Sequence, residues 1–416
     1  MKVASTDSAP PHSFAALRQP GFRPFLAGGV LAMMADNVEH VITYWVIFQH
    51  FKSPALGGFA VIAHWLPFLL FSVPVGALAE RVDPRRLIQL GMLLFIVVSL
   101  AWGVLILTNS LQLWHAAALL VAHGVAGVLW TTPSQLLLHD IVGRDGLQSA
   151  VRLNATGRYL GMFLGPAVGS AFLLALGPSY GLFCNALLYV PFVVWLWKAP
   201  YGPRFRTQQT APAAAVRSIG DIVGVVRDIR HYPVVATMTL LSGGAAFFVG
   251  NAYQAQMPGF ATDLGHGDPG IAYSMLLAAD AAGALAAGIA LETFGLLRPH
   301  PRTALILALL WGCALGSFAL MPIYPIALLL LLAAGFLELS FNSMSQTLVQ
   351  LHAPAQKRGR IIGVFSMASL GSRMFSGFSV GILGQMVGIH WSLAISAGLI
   401  LVLITTLLSQ RASFAH

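Results

Sequence analysis

Charge is scarce in this chain. Only 9% of its 416 residues are Asp, Glu, Lys or Arg, where a soluble domain carries about a quarter. With a mean hydropathy of +0.77, that scarcity excludes a freely soluble enzyme and a string of soluble domains. Cysteine is nearly absent: Cys184 and Cys313 both fall inside apolar runs, which excludes a disulfide framework. No Gly-x-x-x-x-Gly-Lys loop is present to cradle ATP phosphates, and no Cys/His spacing suggests a metal, so neither cofactor nor metal is expected. Residues 1–24 lack the apolar core of a signal peptide and read as a polar tail.

Long apolar runs are abundant. Each needs about 20 residues to cross a bilayer, and twelve are expected, at 25–49, 55–79, 87–109, 114–138, 147–176, 178–197, 233–257, 269–294, 302–321, 325–351, 359–387 and 389–409. The expected fold is therefore an all-α membrane protein, two pseudo-symmetric six-helix bundles at 25–197 and 233–409. A tail (1–24), a linker (198–232) and a short end (410–416) complete the chain. The net charge of +9 does not argue for nucleic acid, because the basic residues cluster in loops on one side. Lys52, Asp263 and Asp268 are the charges of the other side. By the positive-inside rule both termini are then cytoplasmic, which in a bacterium means the inner membrane. In the linker, Ile219, Ile222, Val223 and Val226 oppose Arg217, Asp221 and Asp228 at helical spacing, as in a helix lying on the inner leaflet.

A repeat runs through the chain. Gly76-Ala-Leu-Ala-Glu80 is echoed by Gly288-Ile-Ala-Leu-Glu292 at an offset of 212 residues, and Gly124 to Ser134-Gln135 by Gly335 to Ser345-Gln346 at 211. The fifth span carries Gly157, Gly161, Gly165 and Gly169, a smooth stripe that admits another backbone, and Pro166, which favours a kink. A tightly packed, bendable helix between the domains is expected there.

Ionisable residues inside spans are functional candidates by default. Asp36, Glu39, Asp280 and Glu338 lie roughly 13–21 Å from their membrane entries, at 1.5 Å per residue. Asp36, Glu39, His40 and Thr43 share one helix face. Paired buried acids disfavour joint ionisation, which suits a proton carrier. Arg373 cannot shed its charge and is expected to pair with Glu338 or Asp280 until substrate or proton competes. Asn342 and Gln346 extend a polar stripe from Glu338. Trp45, Trp130, Tyr253 and Phe341 are candidates for an aromatic lining that suits a bulky, partly apolar ligand. His64 and His123 could join a proton path.

Gly76-x-Leu78-Ala79-Glu80-Arg81-x-Asp83-x-Arg85-Arg86 resembles the loop 2–3 signature of the major facilitator superfamily of secondary transporters. Its form looks like that of the bacterial drug–proton antiporters, the branch that includes the enterobactin exporter. Glu80 stands where Asp is usual, and Asp83-Pro84 where Gly-Arg is usual. Gly161-x-x-x-Gly165-Pro166-x-x-Gly169-Ser170 resembles the antiporter motif of that branch, with Gly-Ser for its final Gly-Gly. The resemblance implies a monomeric, non-enzymatic exporter of a small organic molecule, a drug or siderophore, exchanged for protons by alternating access. It also implies a gating role for the loop 2–3 residues, for which Asp140 and Arg144 are the expected partners. An importer or lipid flippase of the same fold shares all but the fifth-span motif, and a membrane sensor is the remaining alternative.

Overall fold

In hydrocarbon every backbone polar group must be satisfied internally, and a helix does this within one segment. The structure is a computed structural model that describes residues 13–51, 54–205, 216, 218–250, 252–265, 269–376, 380 and 383–412. Among these, all regular structure is helical. The first half comprises α1 (Phe22–Phe51), α2 (Pro54–Arg81), α3 (Pro84–Leu107), α4 (Leu113–Val142) and α5 (Leu147–Lys198). α6 (Ile219–Asp228) belongs to the linker. The second half comprises α7 (Pro233–Phe248), α8 (Ala252–Ala255), α9 (Met257–Asp263), α10 (Pro269–Thr293), α11 (Pro301–Ala319), α12 (Tyr324–His352), α13 (Arg358–Ser366), α14 (Arg373–Ser376), α15 (Leu383–Val387) and α16 (Ile389–Ala412).

Nine helices among the described residues are long and apolar enough to cross a membrane. The longest, α5, breaks at Gly177 (φ 75°, ψ 171°), just before Pro178. Only glycine takes that backbone freely, and the proline supplies no N–H to the turn before it. This break separates the expected fifth and sixth spans. The expected seventh span is interrupted after α7 by Gly250 (φ 50°). The expected eleventh is interrupted by a π-helical stretch, Met367–Gly371, between α13 and α14. Lys52 and Asp268, expected in outer loops, lie outside the described residues, as do Arg217 and residues 1–12 of the tail.

The Asp83-Pro84 departure from the loop signature has a local cause. Asp83 caps α3, its carboxylate accepting from the backbone N–H of Arg85, and Pro84 takes the first helical position. Arg85 also closes on the Asp83 carboxylate at 2.6 Å and donates to the carbonyl of Ala199.

Buried side chains form separate cores. Phe25, Phe95, Tyr189 and Phe192 belong to one, and Val38, Ile42 and Trp102 to another, both built from α1–α5. Met238, Phe260, Trp311 and Phe341 belong to a third, built almost wholly from residues after the linker. The halves meet along two seams related by the repeat. In one, α2 crosses α13 so closely that a Cβ on Gly76 would run into the carbonyl of Gly359, and one on Gly359 into that of Gly76. Beside it Glu80 accepts from the backbone N–H of Arg360 at 2.9 Å and from its Nε at 3.1 Å. In the other, α10 crosses α5. Glu292, the repeat mate of Glu80, accepts from Ser149 Oγ, and Arg152 donates to the carbonyls of Leu291 (3.0 Å) and Leu297 (2.7 Å). The tail joins this seam: Ser13 Oγ donates to the Thr293 carbonyl and the Ala16 N–H to Ser149 Oγ.

Glu80 thus takes its partner from the opposite half rather than from Asp140 or Arg144. Arg86 bonds Gln89 at 3.0 Å and Arg81 is exposed. In the linker, Ser218 caps α6 reciprocally with Asp221. Ile219 and Val223 stay uncovered at 80% and 58% exposure, the apolar edge expected of a surface helix. Lys357 pins the far end through Asp228 at 2.6 Å, and this hydrogen bond holds the Asp228 carboxyl below its ordinary pKa.

Candidate functional site

Two polar clusters face each other across the middle of the molecule. The first is built on α1. Asp36, Glu39 and His40 share a face because they are spaced three and four apart, and the fold brings His64 from α2 and His123 from α4 onto that face. His123 is clamped between the two acids, its Nδ1 2.7 Å from Glu39 Oε1 and its Nε2 2.8 Å from Asp36 Oδ1. His40 Nδ1 lies 3.7 Å from the other Asp36 oxygen. Behind Glu39, Ser99 of α3 donates to Oε2, and Asn185 of α5 donates to Ser99 at 3.1 Å. Thr43 is spent on the Glu39 carbonyl at 2.8 Å.

The second cluster belongs to α10 and α12. Asp280 Oδ2 accepts from the Tyr253 hydroxyl at 3.0 Å and from Gln254 at 3.3 Å, while its Oδ1 is buried without a partner. The hydroxyls of Tyr253 and of Tyr159, the latter from α5, face the carboxylate of Glu338.

Between the clusters lie two adjoining cavities of about 370 Å³ and 110 Å³. Asp36, His40, His64, Trp65 and Trp130 line the larger. Tyr159, Glu338, Asn342 and Gln346 line the smaller. Arg158 and Arg373 line both. The expected ion pair of Arg373 is not formed. Its Nε is buried without a hydrogen-bond partner, and its guanidinium lies over the ring of Trp65, 5.2 Å from the centroid. The π-helical stretch just before Arg373 adds a residue to the turn and re-aims the side chains beyond it. Arg158, from α5, shares the cavity wall with Arg373.

Several expected contacts fall elsewhere. Trp45 is 44% exposed and lines neither cavity, because nine residues past Asp36 is half a turn round the helix. Phe341 is fully buried against Trp311, 5.1 Å between ring centroids, and serves the second-half core. Tyr253 is buried and reaches the site only through its hydroxyl. The glycine stripe of α5 is packed as tightly as expected, but within one half, against the acid-bearing α1. A Cβ on Gly161 would lie 2.9 Å from the Val30 carbonyl, one on Gly165 2.9 Å from that of Met34, and one on Gly169 3.1 Å from Val38 Cα. Pro166 sits in this packed stretch without ending the helix. Ser99, Tyr159, Asn185 and Gln254 escaped the sequence reading, since a single polar residue in an apolar run carries no periodic signal.

Two halves joined along twin seams related by a repeat, with a cavity between them, are the architecture of a major facilitator transporter. A family model described as "Transmembrane secretion effector" matches residues 11–415, and the chain belongs to that family. It is similar to the multidrug efflux pump Tap of Mycolicibacterium fortuitum, 24% identical over 380 residues, 88% of this chain and 89% of that protein. Tap of Mycobacterium tuberculosis is 23% identical over 385 residues, covering 90% of this chain and 89% of its own. Among solved structures, the human organic anion transporter MFSD10 superposes with a TM-score of 0.74 at 14% identity, over 94% of this chain and all of that one. A major facilitator transporter, FucP, in its outward conformation superposes with a TM-score of 0.73 at 12% identity, over 94% and 98%.

Proposed function

We propose that this protein exports a small, partly apolar organic molecule, of the drug or siderophore kind, in exchange for protons by alternating access. Its twelve spans comprise the nine long helices, with α5 counted twice, and the two interrupted segments 233–263 and 358–387. The units are 25–197 and 233–409. The protein acts as a monomer in the inner membrane with both termini in the cytoplasm, so the end closed by the two seams is the cytoplasmic one. The conformation is then outward-facing. Similarity to Tap supports the export direction and the drug-like cargo.

One observation carries the reading: Glu338, a carboxyl in the wall of the cavity between the halves, faced by a tyrosine hydroxyl from each half. Such a group can hold a proton when the cavity faces one side and release it to the other. Asp280 and Glu338 are the assigned coupling acids. Asp36 and Glu39, the other candidates, are already engaged with His123, and the coupling assignment rests on the second-half pair. Trp65, Trp130, Asn342, Gln346, Arg158 and Arg373 form the substrate wall. The test is pH change inside proteoliposomes as amphipathic drugs and a catecholate siderophore are added, for wild type, Glu338→Gln and Asp280→Asn. Substrate-evoked proton flux in wild type, lost in Glu338→Gln with substrate binding retained, supports antiport. Substrate flux without protons in all three proteins overturns it.

A further inference from the structure

Three imidazoles from three different helices converge in the first half, His40 and His64 in the wall of the larger cavity and His123 buried behind them. Their ligand atoms all lie within 4.8 Å of one another. Three points no farther apart than 4.8 Å fit within a circle of radius at most about 2.8 Å, the side divided by √3. A zinc–imidazole bond is about 2.0–2.1 Å, so an ion at the centre would draw each ring in by less than about 1 Å. A fourth donor is adjacent: Asp36 Oδ1 hydrogen-bonds His123 Nε2 at 2.8 Å, a proton that an entering ion would displace to solvent, and Oδ2 is 3.7 Å from His40 Nδ1. Metal-bound histidines characteristically give their second nitrogen to a carboxylate, and His123 gives Nδ1 to Glu39 at 2.7 Å. That carboxylate is itself held by Ser99, and Ser99 by Asn185. His64 Nδ1 is buried with no hydrogen-bond partner, a polar atom left wanting a ligand. His40, His64 and Asp36 all line the cavity, which gives an ion a way in.

We propose that His40, His64, His123 and Asp36 bind one divalent first-row transition-metal ion of the Zn²⁺, Co²⁺ or Ni²⁺ kind, with Glu39 as the residue that positions His123. Three imidazoles and a single carboxylate suit these ions and disfavour Mg²⁺ and Ca²⁺, which need oxygen ligands. The inference does not depend on the export reading. Full-length protein without a histidine tag, purified in detergent, is titrated with Zn²⁺ by calorimetry and with Co²⁺ by visible absorption. One ion per chain and the d–d bands of a four-coordinate Co²⁺ site are expected. His64→Ala and His40→Ala lose binding at least 100-fold, and Glu39→Gln weakens it about 10- to 100-fold, as second ligand shells do. His231→Ala, at an exposed position, leaves binding unchanged. His64→Gln keeps a polar side chain at the same place, and an unchanged elution volume and melting curve show that lost binding is not misfolding. Zn²⁺ affinity equal in wild type, His40→Ala and His64→Gln would overturn the site. So would a titration showing only octahedral Co²⁺.

Discussion

Replacing Glu80 by Gln should open the closed end of the molecule. The Glu80 carboxylate receives two charge-assisted hydrogen bonds from Arg360, and the two side chains are only 7% and 13% exposed. Glutamine keeps one acceptor for the Arg360 backbone but turns an amide donor towards the Arg360 Nε–H and removes the negative charge that faced it. A hydrogen bond to a charged group contributes about 1.5–3 kcal/mol. Taking about 2 kcal/mol, the balance between closed and open shifts about 30-fold. A state populated at about 3% would then hold about half the molecules. Nitroxides on Arg144→Cys and Arg298→Cys, in a Cys184→Ser, Cys313→Ser background, report this end by pulsed electron–electron resonance. Both label sites are exposed. Glu80→Gln should add a long-distance population that Glu80→Asp does not. Distance distributions identical in wild type, Glu80→Gln and Arg360→Ala would refute the assignment of closing energy to this pair.

Gly165→Ala should lower the melting temperature, because overpacking costs about 1–3 kcal/mol and the new Cβ would press on the Met34 carbonyl and Asn37. Unchanged melting would show that α1 can yield. Trp65→Ala should weaken substrate binding several-fold, since it removes both a cavity wall and the platform under Arg373. Trp45→Ala should leave the same binding isotherm unchanged. The Asp228 carboxyl has a depressed folded pKa, so its bond to Lys357 is present above the ordinary carboxylate value of about 3.9. The bond is lost as pH falls through the depressed one. The spectrum of a nitroxide on Gly224→Cys should sharpen in acid in the wild type and be sharp at neutral pH in Lys357→Met.

Much of this was legible in the sequence. Apolar runs located the helices because bilayer thickness fixes their length, and Gly177-Pro178 marked a boundary through local backbone chemistry. Glu80 and Glu292 were legible as a repeat, but their partners were not, because Arg360 and Ser149 meet them only when the halves close. Asp36, Glu39 and His40 could be placed together from spacing along one helix. His64 and His123 reach the same spot from α2 and α4, and no one-dimensional pattern records a convergence between helices. Trp45 and Phe341 were misplaced for the converse reason: depth along a helix was read without the angle around it. Arg373 was read without the π-helical stretch that re-aims it.

The seams also separate two properties that a transporter must set independently. Where Gly76 meets Gly359 there are no side chains to repack, so parting that surface requires no rotamer rearrangement there. Carboxylate contacts at the margins, Glu80 with Arg360 and Glu292 with Ser149, add to apolar ones such as Ile362 packed with Ala79 and Leu136. On the alternating-access reading proposed above, substitutions at Glu80, Arg360, Ser149 or Glu292 would change how fast the molecule cycles. On the same reading, substitutions at Trp65 or Trp130 would change recognition, and Trp65 also meets the second half through Arg373.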